Sequence, residues 1–406
     1  MSPKRRQIEF ALAGLLAIGL VGVGAVFIYS YLISVADPLY TDPAAIPSKT
    51  GEFDAGRHST AIEKGRSAAR ELLIKENLPN LSIAVASDGE IVWAEAFGFT
   101  NVEKRMPVTP TTRFRAGSVS KTMTAMALGV LHERGDLDLD APVQTYVPAY
   151  PQKQWTITPR QLMGDVAGVH RTIDGNDTSP HGQCKSVDQA LKIFFTEPLQ
   201  FEPGTQYRFS NYGWILLSAV VEGAAKEPFP PFMSREVFKP LGMDRTVLEG
   251  SDEDRDAAAF DSRSADEGGD KPEDPPEADY GCFFGAGGYV STPSDLVRLG
   301  SAIVKAGLLN AKTIALLQTP LQLKSGASTG FALGWKVDTL QLAGRPVPTL
   351  RHRASLIFGR VSLAVFPELG LVIAAMSNAP QYPVDQFADQ VAEGFASAHS
   401  SSPGGR

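Results

Sequence analysis

The chain has 406 residues, of which 43% are hydrophobic and 20% are charged, as is ordinary for a globular protein with a large core. Its formal net charge of -7, with no basic stripe to offset it, argues against a nucleic-acid partner. The six histidines are scattered and the two cysteines are far apart, so no metal-ligand spacing is present and no cofactor is expected.

An apolar stretch of 24 residues, from Phe10 to Ile33, contains no charged side chain. At ~1.5 Å per residue a helix of this length reaches about 36 Å, enough to cross a hydrocarbon core of ~30 Å. The basic residues at 4–6 predict that the N-terminus is cytoplasmic and that the globular part is exported. The globular part would then lie in the periplasm or another extracytoplasmic space. We therefore expect residues 1–36 to form a cytoplasmic tip and a transmembrane anchor. A signal peptide cleaved at 34–36, or a mitochondrial inner-membrane anchor, is the alternative.

Residues 37–58 are rich in proline and glycine and are predicted to form an extended linker. An amphipathic helix follows from Ser59 to Lys75. Two strand-like runs, 81–87 and 91–97, are then separated by an Asp-Gly turn, which indicates a β-hairpin. This order predicts an antiparallel sheet with helices packed on it.

The segment Arg115-Ala-Gly-Ser-Val-Ser-Lys-Thr contains Ser118 and Lys121 at the start of a predicted helix. Its apolar residues recur at helical spacing, at Met123, Met126, Ala127, Val130 and Leu131. Residues three apart lie on one helical face, so the hydroxyl and the amine can share a proton. A desolvated lysine can lose its own proton and then accept that of the serine, which makes the serine a nucleophile.

Residues 132–280 are predicted to be mostly helical pieces, including a helix over Asn211 to Val221. Positions 252–279 hold 12 acidic and 3 basic residues and predict a solvated surface loop. Cys184 and Cys282 either pair, as an exported protein allows, or remain two buried thiols. Further strands are expected within 330–378 and a closing helix within 388–396, with a disordered tail over 397–406.

Five segments, in order from about Ser59 to Ala396, resemble the sequence blocks of class C beta-lactamase-like serine hydrolases. This superfamily also includes penicillin-binding DD-peptidases, esterases, D-aminopeptidases and mitochondrial beta-lactamase-like proteins. The matching segments are Phe114–Thr122, Gln161–Gly168, Glu202–Thr205 with Phe209–Asn211, Gly285–Leu296, and His352 with Gly359 and Pro367–Gly370. Several blocks in one order are far more specific than the S-x-x-K spacing alone.

The resemblance implies an α/β (α+β) two-lobed fold, with a globular domain over 59–396. A sheet lobe over about 59–117 and 283–396 would carry an inserted helical lobe over about 118–282. The active site would lie between the lobes.

The resemblance also implies the roles of individual residues. Ser118 would form the acyl-enzyme, Lys121 would assist proton removal, and Asn211 would hold the substrate amide or the lysine. His352 would face the substrate carboxylate or the general base. The backbone N–H groups of Ser118 and Ser355 would form the oxyanion hole.

Several positions depart from the family pattern. Phe209 replaces a tyrosine that is a base or proton shuttle in many members, and a phenyl ring cannot carry a proton. Asp165 stands where histidine is usual. Ala354 replaces a glycine, so its methyl group is expected to narrow the cleft, while the neighbouring Arg353 is expected to attract an anionic substrate.

These features predict a membrane-anchored serine hydrolase acting on a small-molecule or peptide substrate through Ser118 and Lys121. An esterase or peptidase is favoured over a true beta-lactamase, because the Tyr-x-Asn and Lys-Thr-Gly patterns are altered. A substrate from the cell envelope would suit an exported site. The alternatives are a catalytically weak, penicillin-binding-like ligand-binding protein and a non-catalytic membrane-tethered scaffold.

Overall fold

The computed structural model describes residues 38–171, 184–251, 281–356, 359–379 and 382–400. Its α-helices are α1 (Ser59–Lys75), α2 (Ser120–Arg134), α3 (Pro159–Met163), α4 (Val187–Leu191), α5 (Asn211–Ala225), α6 (Phe229–Met233), α7 (Pro293–Val304), α8 (Ala311–Gln318) and α9 (Val384–Ser400). Its strands are β1 (Ser48–Thr50), β2 (Asn80–Ser87), β3 (Glu90–Asn101), β4 (Met106–Pro107), β5 (Phe114–Arg115), β6 (Val247–Leu248), β7 (Tyr289–Ser291), β8 (Lys336–Leu342), β9 (Arg345–Leu356), β10 (Gly359–Phe366) and β11 (Leu371–Ser377).

The main sheet is antiparallel, with the strand order β1-β3-β2-β11-β10-β9-β8 and with β4 paired to β3. The predicted hairpin is confirmed, because Leu81 pairs with Phe97 across a turn at Asp88 and Gly89. Strands β5, β7 and β6 form a separate small sheet. An antiparallel sheet flanked by helices is therefore the architecture, as expected.

Each face of the main sheet is covered by a different set of helices. Helices α1 and α9 contact each other and bury the apolar face of one side, where Leu73, Trp93 and Ile373 are fully covered. Helices α2, α5 and α7 belong to the core on the opposite side. The chain therefore forms three layers, with the sheet in the middle.

Helix α2 differs from the amphipathic helix that its apolar spacing predicts. Every residue from Ser120 to Leu131 is buried, including the polar ones. The hydroxyl of Thr124 donates to the carbonyl of Gly285, and Gly135 ends the helix in the left-handed conformation. The helix is enclosed on all sides, so its polar residues must find partners inside the protein.

Two predicted boundaries need correction. The segment expected to be a linker packs on the domain: Tyr40 and Ile46 are buried, and β1 adds an edge strand beside β3. The expected tail also begins too early, because α9 continues to Ser400. In both places the backbone gains hydrogen bonds that an isolated coil lacks.

Cys184 and Cys282 form a disulfide, with Cα atoms 4.8 Å apart, which settles the alternative left open by the sequence. The predicted anchor, the acidic segment at 252–279 and the last six residues lie outside the described residues. Among the residues that are described, no helix is both long and apolar enough to cross a membrane.

Candidate active site

Ser118 lies in a short 3-10 turn, Gly117–Val119, that leads directly into α2. Gly117 has a positive φ of 50°, and a Cβ atom there would lie 2.8 Å from Leu356 and 2.9 Å from Ala354. Both neighbours belong to β9, so only glycine allows the turn to pack this closely on that strand. The nucleophile segment is thereby held against the edge region of the sheet.

The same contact corrects the expectation for Ala354. Its side chain is 2% exposed and its methyl group faces Gly117, not the open cleft. Ala354 therefore packs beneath the nucleophile turn and does not narrow the pocket at Ser118.

Lys121 is fully buried and its amine reaches three oxygen atoms. Nζ donates to Ser118 Oγ at 3.1 Å, to Asn211 Oδ1 at 2.8 Å and to the carbonyl of Ala286 at 2.6 Å. The partners come from α2's own N-terminal turn, from the start of α5 and from the segment before β7. Packing of three separate parts of the chain therefore sets the position of the amine.

These contacts suit a proton acceptor. Asn211 Oδ1 and the Ala286 carbonyl can only accept hydrogen bonds, whereas the Ser118 hydroxyl can donate or accept. A neutral amine that donates two N–H groups to the first two oxygens directs its lone pair elsewhere. Ser118 Oγ occupies the third direction, where its proton can pass to nitrogen.

A pocket of about 310 Å³ opens at Ser118. Ser355, at the end of β9, lines it together with Ser118, so the two predicted oxyanion donors share one pocket. From residue 352 onward β9 has no strand beside it on the β8 side within the described part of the chain, since that pairing ends at Arg351. The strand edge next to the nucleophile is thus open to a substrate.

Phe209, at the tyrosine position, separates this pocket from a second cavity and lines both. Its ring lies 4.6 Å from Lys121 Nζ and 5.5 Å from the guanidinium carbon of Arg171. The ring can stabilise nearby cations through its face, but it supplies no proton. Lys121 is therefore the base candidate with direct contact to the nucleophile.

His352 lines the second cavity, beyond Phe209, instead of the Ser118 pocket. Its Nδ1 lies 2.8 Å from the carbonyl of Gly334, an atom that can only accept, so Nδ1 carries the hydrogen. Burial and then the charge of Lys121 lower the pKa of His352 to about 3. A neutral imidazole offers no positive charge to a substrate carboxylate, which removes one of its two predicted roles.

Asp165 is a buried acidic group for which sequence reasoning noted a departure but assigned no role. It adopts a positive φ of 56°, and its Oδ1 accepts from the backbone N–H of Ser210 at 3.2 Å. Burial raises the pKa of Asp165 to about 7, while Lys121 opposes that rise. The carboxyl group therefore lies within electrostatic reach of the candidate base.

Two arginines line the Ser118 pocket. Arg353 was expected there; its side chain is 79% exposed and pairs with Asp385 at 3.3 Å, so solvent and a carboxylate both weaken its field. Arg171 was missed by sequence analysis, because it follows a loop and no local pattern indicates its direction.

The disulfide supports one wall of the site. Cys282 lies in the segment Gly281–Ala286, which supplies the carbonyl that receives the Lys121 hydrogen bond and the Phe283 side chain that lines the pocket. Gly285 in the same segment receives a hydrogen bond from the hydroxyl of Thr124. The cross-link therefore holds this wall to the segment before α4, and the hydrogen bond holds it to α2.

A Ser-x-x-Lys pair with a buried lysine, packed between an antiparallel sheet and helices, is the arrangement typical of the class of penicillin-recognising serine proteins. The Beta-lactamase family model matches residues 65–396, and the chain belongs to the beta-lactamase family.

Individual relatives extend this likeness. The chain is 25% identical over 409 residues to the mouse (Mus musculus) serine beta-lactamase-like protein LACTB, mitochondrial, covering 76% of this chain and 73% of that protein. It is 27% identical over 254 residues to the putative penicillin-binding protein PbpX of Bacillus subtilis (strain 168), covering 62% and 61%. The structure of EstCE1, a hydrolase with promiscuous acyltransferase activity, superposes with a TM-score of 0.69 at 22% identity, covering 83% of this chain and 99% of that one.

Proposed function

We propose that this protein is a serine hydrolase, an esterase or peptidase, that acts through an acyl-enzyme on Ser118 with Lys121 as the base. The observation that carries the proposal is the contact between Lys121 Nζ and Ser118 Oγ, completed by acceptors on Asn211 and Ala286. Relatives of this fold include a protein described as a hydrolase, which supports the reaction class.

The reaction balances with these groups alone. Ser118 Oγ bonds to the substrate carbonyl carbon as its proton passes to Lys121 Nζ, and the resulting oxyanion lies at the N–H groups of Ser118 and Ser355. The carbonyl–leaving-group bond then breaks, and Lys121 returns the proton to the departing alcohol or amine. Water repeats the sequence on the acyl-enzyme and restores Ser118.

The test uses the full-length chain in lipid nanodiscs and a fluorophosphonate probe, with Ser118→Ala as the matched control. We expect the parent to be labelled, the variant to remain unlabelled, and p-nitrophenyl acetate to be turned over by the parent only. Labelling without turnover would favour the weakly catalytic binding protein. A parent that is not labelled at Ser118 would contradict both and leave the non-catalytic scaffold.

We also propose that the protein is anchored in a membrane with the hydrolase domain on the exported side. The uncharged stretch at 10–33 and the basic residues at 4–6 support this topology. Alkaline carbonate extraction should leave the parent in the membrane fraction, whereas replacing two leucines of the stretch by arginine should release it. A parent that is extracted by carbonate would contradict the anchor.

A further inference from the structure

A cavity of about 430 Å³ lies next to the Ser118 pocket, with Phe209 and Arg353 lining both. This volume falls in the range of small-molecule sites in proteins. Because the two spaces share a wall, a group attached near the scissile bond can extend past the Phe209 ring into the cavity.

The inner walls are largely aromatic. Tyr207 stacks on Phe331 with ring centroids 4.4 Å apart and planes 14° from parallel, and both rings are partly exposed, as is Phe209. Trp214 and Trp335 also line the cavity but are themselves fully buried. The exposed faces of these stacked rings offer an apolar surface with little side-chain entropy left to lose on binding. Such walls favour a bulky apolar or aromatic group over a small polar one.

The charged groups at the outer end do not contradict this preference. Lys336 pairs with Asp338 at 2.6 Å, and Arg351 pairs with Asp389. Arg353 pairs with Asp385 at 3.3 Å. Each lining cation thus has a carboxylate partner, which leaves the apolar surface as the main source of affinity for a ligand.

We propose that this aromatic cavity binds a bulky apolar or aromatic group of the substrate, and that Phe209 and Leu340 shape its two ends. The proposal rests on the hydrolase function proposed above. It also gives Phe209 a role as the dividing wall between reaction centre and cavity. The bound group can belong to the acyl part of the substrate or to its leaving group. Two separate series of substrates distinguish these possibilities.

The first experiment compares esters with the full-length protein in nanodiscs. One series varies the acyl chain of p-nitrophenyl esters from acetate to hexanoate, and the other compares phenyl acetate with 2-naphthyl acetate. We expect kcat/KM to rise at least about tenfold with size in one series, since each buried methylene group adds affinity. The series that responds identifies which part of the substrate occupies the cavity. Equal kcat/KM values throughout both series would overturn the proposal.

The second experiment fills the cavity. Leu340→Tyr adds a ring at the outer end, whereas Thr339→Tyr places the same ring on the opposite face of β8, because neighbouring strand residues alternate. We expect the first variant to abolish the size preference, and the second to keep both the size preference and acetate hydrolysis. Phe331→Ala, which removes a wall ring, should also reduce the preference. A preference that survives in Leu340→Tyr and Phe331→Ala would overturn the cavity assignment.

A binding measurement separates this proposal from the hydrolase function. Ser118→Ala protein is titrated with 4-nitrophenylacetamide, a neutral nitroaromatic that quenches tryptophan fluorescence, with excitation that avoids tyrosine. We expect saturable quenching in Ser118→Ala and at least tenfold weaker binding once Leu340→Tyr is added. Saturable binding without ester hydrolysis in the parent would reject the proposed enzyme but keep the cavity site. Hydrolysis with no saturable quenching would reject the cavity site but keep the enzyme.

Discussion

Each face of the main sheet buries an ionisable side chain, but the hydrogen-bond partners of that side chain differ between the two faces. On the side of α1, Glu95 accepts from the Arg66 guanidinium at 2.6 Å and from Trp93 Nε1 at 2.9 Å. On the side of α2, the amine of Lys121 contacts a hydroxyl, an amide oxygen and a backbone carbonyl.

Glu95 is paired with an opposite charge, the Arg66 guanidinium, and a structural role follows. The three oxygen atoms that accept from the Lys121 amine are neutral, although the Asp165 carboxyl group lies within electrostatic reach, and one of the three is the hydroxyl whose proton must be moved. The comparison therefore distinguishes a structural ion pair from a reactive group by the nature of the partners. Four substitutions, and one matched control, test that distinction, taken here from the largest expected effect to the smallest.

Lys121→Ala should have the largest effect on chemistry. Removing the base in contact with the nucleophile should slow fluorophosphonate labelling and ester hydrolysis by at least about 10²-fold. The half-time of labelling measures this, with the thermal unfolding midpoint as a check that the variant folds. Labelling at the parent rate would refute the Ser–Lys dyad.

Arg66→Ala should affect stability and leave chemistry unchanged. It leaves the carboxylate of Glu95 buried without its guanidinium partner, which we expect to lower the free energy of unfolding by about 2 kcal/mol. Arg66 itself is a quarter exposed, so the loss should fall below that of a fully buried pair. Urea denaturation measures the loss, and a folded variant whose labelling rate falls tenfold would break the comparison.

Asp165→Asn should change the dependence of stability on pH. The pKa of Asp165 is about 7 in the folded protein and near 3.8 when unfolded, so the carboxyl group destabilises the fold increasingly as pH rises through this window. Asparagine also tolerates the left-handed backbone at this position. The melting temperature of the variant, relative to the parent, should therefore rise between pH 4 and pH 8.

Asp140→Asn provides the matched control for that measurement. The Arg160 hydrogen bond lowers the pKa of Asp140, so its ionised form stabilises the fold and this contribution is lost as pH falls through the folded pKa. The control should lose stability relative to the parent at pH 8. If the melting temperatures of both variants changed with pH in the same way relative to the parent, the raised pKa of Asp165 would not be the cause of the effect.

Phe209→Tyr should have the smallest effect. It restores the hydroxyl that the family resemblance predicts at this position, at a ring already 4.6 Å from Lys121 Nζ, so labelling should be retained or rise by no more than about tenfold. Stopped-flow hydrolysis of p-nitrophenyl acetate measures the change. A large loss of labelling would mean that the bare ring is needed in contact with the amine.

Much of the local structure could be predicted from particular residues. Two strand-like runs on either side of an Asp-Gly pair predicted the β2–β3 hairpin, which the structure confirms. The complete burial of α2 could not be predicted, because a helix enclosed on all sides by later parts of the chain has the same spacing as a surface helix. The sequence showed that Asp165 departs from the family pattern, but it did not show that this side chain is buried.

By itself, the sequence determined the Ser118–Lys121 spacing, the strands and the family resemblance, since each depends on neighbours along the chain. Tertiary structure decided what surrounds the lysine: Asn211 is 90 residues away and Ala286 is 165 residues away, yet both contact Nζ. It also placed His352 behind Phe209 and joined Cys184 to Cys282. Contacts over such separations arise only when the helices pack on the sheet, because side-chain packing and not chain order sets the distances between these atoms.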